Sequence, residues 1–176
     1  VLAIGMTSFG GPERVLQFVK SSVGDRQVSK VNSSDKNKII EEEDEEKAYE
    51  LIGEKFEIAP VRIWWRPDGM KFEKLILDSD FQVAELIYWY NGEKVEFIIT
   101  SSYGEVSWGY DEEDKILNHY YEKEKEATIE ITEYEVPESS LSRYVAQFSY
   151  KKIHYCISGQ MSSDELKKIL ENLYFM

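Results

Sequence analysis

Two hydrophobic periods divide this chain. Before Pro60 apolar residues recur at helical spacing, and after it they alternate. Gly10-Gly11-Pro12 opens a short predicted helix with Val15, Leu16, Phe18 and Val19 on one face, ending at Gly24. From Asp25 to Ile40 the sequence is Ser, Asn, Asp and Lys without a period, which predicts a linker or exposed loop. Ala48, Leu51 and Ile52 then recur at helical spacing in KAYELIGEKF. The acidic run Glu41–Glu46 precedes them, where negative charge complements the unpaired N–H groups of a helix start.

Beyond Pro60 the pattern reads as strands. Val61–Trp65 is the first, Arg66-Pro67-Asp68-Gly69 a turn, Lys71–Asp78 the second strand and Phe81–Tyr90 the third. Asn91-Gly92 is a hairpin signal, because both residues tolerate the positive φ of a type I′ turn. Past it, Val95, Phe97 and Ile99 alternate with Lys94, Glu96 and Thr100, which predicts a half-buried strand. Ser101–Asp114 has no clear period, and Ile116–Tyr121 fits either helix or strand. Thr128–Tyr134 is a strand, Val136–Ser140 a loop, and Arg143–Tyr150 and Ile153–Ser158 pair about Lys151-Lys152. A closing helix is capped by Ser162 or Ser163, with Asp164 or Glu165 reaching back, and carries Leu166, Ile169, Leu170 and Leu173 as an apolar stripe.

These elements predict an α+β fold: a largely antiparallel meander sheet with N-terminal helices and a C-terminal helix packed on it. Residues 1–40 read as an N-terminal arm, short helix and linker, and 41–176 as the α+β domain. At 176 residues, 42% hydrophobic and 31% charged, the chain has the composition of one globular domain. Thirty-four acidic against 21 basic residues give a formal charge of −13, which repels phosphate backbones and argues against nucleic acid as a partner. A lone cysteine, Cys156, rules out an intrachain disulfide and a cysteine-based zinc site within one chain. No run approaches the roughly 20 apolar residues of a membrane span.

Candidate chemistry is sparse. The Gly-Lys phosphate loop, the dinucleotide fingerprint and the G-x-S-x-G elbow are all missing, as is H-E-x-x-H. His119 and Glu122 align only on a helix, and His154 reads as a surface or edge histidine opposite Ile153, Tyr155 and Ile157. Asp111–Asp114 is contiguous acid, whereas a calcium loop needs ligands at alternate positions. The expectation is no catalytic residue, no cofactor and no metal site. Aromatic residues make up 14% of the chain, and Trp64, Trp89 and Trp108 are candidates for a ligand or partner surface. Packing on both faces of a covered sheet is the plainer account of the same rings.

The order GMTSFGGPERVLQFVK, RIWWRPDGMKF, YNGEKVEF and CISGQMSSDELKKILENL resembles a bacterial domain-of-unknown-function family, number 4367. The resemblance carries no catalytic residues. It implies a Gram-positive, extracytoplasmic domain that usually follows one membrane anchor, with Val1–Phe9 as the end of that anchor. The expected function is non-enzymatic: a sensor or interaction domain for a peptide, an envelope component or a partner protein. A carboxylate-dependent hydrolase using Asp111 or Glu113 near Trp108 is the alternative from another class, and a structural spacer is the third.

Overall fold

A computed structural model describes residues 39–101, 115–123 and 127–176. Its frame is an eight-stranded sheet made of β1 (Ile39–Glu42), β3 (Lys71–Asp78), β4 (Val83–Tyr90), β5 (Glu93–Thr100), β6 (Lys115–Lys123), β7 (Ala127–Tyr134), β8 (Arg143–Tyr150) and β9 (Ile153–Gln160). The spatial order is β1-β3-β4-β5-β9-β8-β7-β6, and every pairing is antiparallel. Two meanders, β3-β4-β5 and β6-β7-β8-β9, therefore meet at β5 and β9. A second, two-stranded ribbon joins β2 (Arg62–Ile63) to β10 (Leu173–Tyr174).

Two helices lie among the described residues, α1 (Glu45–Phe56) and α2 (Ser163–Glu171). Asp44 caps α1 by accepting from the Lys47 N–H at 3.0 Å. Ser162 and Glu165 close a full capping box on α2. Both helices bury their apolar stripes in one core: Ala48, Ile52 and Phe56 from α1, and Leu166, Ile169 and Leu170 from α2. Strand alternation supplies the other wall, with Leu86, Phe97, Tyr155 and Ile157 all at or below 1% exposure.

Several expectations need correction. Among the described residues strand outweighs helix, so this part is largely β with two helices, and the order of the sheet departs from a simple meander. The helix expected after Pro12 lies outside the described residues, as do most of the linker and Val1–Phe9. Ile39 and Ile40, expected within the linker, pair with Asp78 and Leu77 as part of β1. The strand read as Val61–Trp65 contracts to two residues, because its hydrogen-bonding partner β10 is equally short. Leu173 leaves the helical stripe and sits opposite Ile63 in that ribbon. Finally, β5 is buried on both faces rather than half-buried: Glu96 is 2% exposed and Thr100 is fully covered.

The hairpin behaved as its chemistry demands. Asn91 and Gly92 take φ of 53° and 82° between β4 and β5.

Candidate functional site

A groove of about 300 Å³ opens between α1 and β2, lined by Glu45, Glu46, Tyr49, Arg62, Trp64 and Arg66 among others. Its floor is a directed chain of hydrogen bonds. The Ile63 N–H donates to the Tyr49 hydroxyl at 3.2 Å, which lies 3.4 Å from the Tyr88 hydroxyl, and Tyr88 donates to Glu45 Oε1 at 2.9 Å. Because Tyr88 spends its one proton on Glu45, Tyr49 must donate to Tyr88. Arg66 Nη1 completes the chain at 2.6 Å from both Glu45 oxygens.

Each cation of the groove is used twice. Arg62 bonds Glu46 at 2.6 Å and lies over the Tyr49 ring at 5.0 Å, while Arg66 lies over the Tyr88 ring at 5.4 Å. Burial raises the Tyr49 hydroxyl to about 12 and, with Tyr49 and Glu45 nearby, lifts Tyr88 well above its ordinary value. Both therefore stay neutral donors at physiological pH. Burial opposes the Arg66 charge, but the bonds it donates to Glu45 and the charge of that carboxylate outweigh it, and the pKa rises. The charges of the groove are paired, Arg62 with Glu46 and Arg66 with Glu45.

The ribbon edge above the groove is closed by tyrosines. Val61 N–H donates to the Tyr155 hydroxyl at 3.3 Å, and Ile63 N–H is taken by Tyr49, so no strand is needed on that side. Trp64 projects from this edge 76% exposed, with its ring 5.8 Å from that of Tyr174, itself 50% exposed. Its neighbour Trp65 turns the other way, packing against the core with Lys168 over its ring at 5.8 Å.

Of the tryptophans singled out by sequence, Trp64 lines the groove and Trp89 does not. Trp89 is 44% exposed at the end of β4, pairs with Lys94 in register, and donates from Nε1 to Glu73 at 2.7 Å. Trp108 lies outside the described residues, as do Asp111 and Glu113. Residues 115–123 form a strand, so the helical spacing that would align His119 with Glu122 is absent. His154 is in β9, between β5 and β8 rather than on an edge, with Nδ1 at 2.8 Å from the Ser149 hydroxyl. Cys156 on the same strand is fully buried.

The acidic run at the start of α1 is absorbed by structure. Glu41 pairs with Lys74 at 3.3 Å, Glu42 accepts from the Asp44 N–H at 3.0 Å, and Glu45 and Glu46 hold the two arginines. Sequence reasoning missed Arg62 and Arg66 as partners of that run. The available signal was two arginines four apart flanking Trp64-Trp65 in an otherwise acidic chain.

A second cluster escaped it as well. On the sheet face opposite the helices, Glu85 is 3% exposed and Glu96 2%, with Lys94 between them. Lys94 Nζ lies 3.6 Å from Glu85 and touches Glu96. Burial, then the nearby Glu85 charge, pushes Glu96 up to about 8 against the pull of Lys94.

Fold and groove together define a largely β, helix-backed antiparallel sheet domain. The chain belongs to the family described as Domain of unknown function (DUF4367), whose model matches residues 60–173. That match takes in β2 to β9, α2 and the first residue of β10, and it begins after β1 and α1. The chain matches no curated protein and no solved structure.

Proposed function

We propose that this domain is a non-enzymatic interaction module, displayed outside the cell from a membrane anchor, that takes a peptide segment of a partner at the groove between α1 and β2. The observation that carries the reading is Trp64, a large ring 76% exposed beside pre-paired arginines and glutamates. A rigid aromatic gives contact area at little entropic cost, and buried tryptophan contacts rank among the strongest single contributors to interfaces. The surrounding salt bridges set orientation without leaving an unpaired charge to be desolvated.

Binding of a labelled peptide library, including cell-envelope peptides, to wild type and Trp64→Ala tests this. Ligands of wild type should lose about thirtyfold in affinity on truncation, a hot-spot cost of roughly 2 kcal/mol. Thermal stability should barely move, because the ring is on the surface. An absence of peptide ligands, or ligands indifferent to Trp64→Ala, refutes the reading. Membrane fractionation of the full-length protein tests the location separately.

A further inference from the structure

The two arginines of the groove are held unequally. Arg66 meets both oxygens of Glu45, a carboxylate 24% exposed that also accepts from Tyr88. Arg62 meets one oxygen of Glu46, whose side chain is 70% exposed. A pair as open as the second contributes little, because water and salt compete for its partners. Arg62 Nε, closed off from solvent, has no acceptor among the described residues. A covered N–H donor left without an acceptor is destabilising, and a ligand that supplies one recovers the loss.

The surroundings of Arg62 limit what that acceptor can be. Its guanidinium lies over the Tyr49 ring, which is 3% exposed and fixed by bonds to Ile63 and Tyr88, so the cation rests on a rigid platform. Arg62 and Trp64 stand two apart and both line the groove. Side chains at that spacing on an extended chain lie on one side, about 7 Å apart, so a single ligand can meet both. Tyr174 stands opposite Arg62 in the ribbon with its ring 5.8 Å from that of Trp64, which gives an apolar side chain two rings to lie against. A carboxylate matches the fork of a guanidinium, bonding two of its nitrogens at once. The formal charge of −13 repels a polyanion as a whole, and this narrows the ligand to a single carboxylate beside an apolar group.

Resting on the peptide reading of the groove, we propose that the partner segment carries a carboxylate next to a large apolar side chain, and that this carboxylate takes Arg62 from Glu46. It bonds Nε and one Nη together while the apolar group lies on Trp64. Glu46 is then an internal stand-in for the ligand: it holds the guanidinium over Tyr49 until it is replaced, and swings into water, where its charge needs no partner. Arg66 stays with Glu45 and takes no part in the exchange.

Peptides whose binding depends on Trp64 test this when remade in two ways, with Asp and Glu replaced by Asn and Gln, and with an amidated C-terminus, and titrated against the whole chain. One of the two changes should weaken binding by about ten- to a hundredfold, the range of a hydrogen bond to a charged group, and which one does so tells a side-chain carboxylate from a terminal one. Arg62→Lys keeps the charge but loses the fork, so it should weaken the carboxylate peptide by a similar factor and leave the amide form unchanged, which also shows that the groove is still folded. Glu46→Gln removes the competitor and should strengthen the carboxylate peptide severalfold, a change of sign that a merely structural salt bridge would not give. Trp64-dependent peptides indifferent to both remakings overturn the carboxylate and leave the peptide reading standing. Weaker binding of the carboxylate peptide to Glu46→Gln overturns the exchange, and if no peptide depends on Trp64 both readings fall together.

Discussion

At the level of single residues, Gly159 shows most clearly how tightly the helix-covered face is built. It is in β9 opposite Tyr144, and a Cβ there would stand 2.7 Å from Val95 Cγ2 and 3.1 Å from both Val95 Cγ1 and Met161 Cε. Val95 and Met161 are both fully buried, and β-branched Val95 has little rotamer freedom with which to retreat. Gly159→Ala removes backbone entropy from the unfolded chain, a gain below about 1 kcal/mol, but overpacking outweighs it at roughly 1–3 kcal/mol. Chemical denaturation should show that net loss. Val95→Ala opens the space the new methyl needs, so the double variant should cost less than the sum of its singles, and strict additivity would place the clash elsewhere. The sequence carried no sign of this contact, since Ser158-Gly159-Gln160 reads as an ordinary strand end and only the β5–β9 pairing brings Val95 over it. Glu96 was hidden for the same reason. Alternation in KVEFIIT places it outward, and burial of the second face comes from tertiary structure that a period of two cannot report.

Elements whose boundaries rest on local chemistry were legible, and those that rest on distant partners were not. Lys71–Asp78, the Asn91-Gly92 turn, the β8–β9 pair and the Ser162 start of α2 all follow from alternation, positive φ or a cap. By contrast β1 and the β2–β10 ribbon exist because residues far along the chain complete their ladders. The groove belongs to this second kind, since it needs Tyr49 on α1, Tyr88 on β4 and Ile63 on β2 to converge. The cap on α2 allows a direct check. Ser162 Oγ accepts from the Glu165 N–H at 3.3 Å, while Glu165 Oε2 takes the Ser162 N–H at 2.8 Å and Glu165 Oε1 takes the Tyr90 hydroxyl. Ser162→Ala should lower stability by about 1 kcal/mol in denaturant titration. Ser162→Asp or Ser162→Asn should restore most of it, and a neutral Ser162→Ala would mean that α2 is held by its apolar stripe alone.

For the whole molecule, two buried or half-buried carboxylates pull stability in opposite directions with pH. Burial works against the Glu165 charge, but the bonds from Tyr90 and Ser162 prevail and hold its pKa below 4.5. Its contribution is thus present above the ordinary carboxylate range and is lost as pH falls through the lowered folded value. Glu96 has the reverse sign, because its folded pKa of about 8 exceeds the unfolded 4.5. Its penalty is absent below 4.5, grows as pH rises, and is complete above about 8. The formal charge of −13 adds to the alkaline side, since self-repulsion relaxes as acids are neutralised. These terms together place the stability maximum on the acidic side of neutrality, near the ordinary carboxylate range. Thermal melting across pH should show Tm climbing from about pH 8 down to about pH 5 and falling again below. Glu96→Gln should flatten the alkaline limb and leave the acid limb in place, whereas Glu165→Gln should lower Tm above the carboxylate range and weaken the acid limb. An alkaline limb that persists in Glu96→Gln would assign it to net charge alone, and added salt would then flatten it by screening. Salt reaches a carboxylate 2% exposed far less, so salt dependence separates the surface from the buried pair.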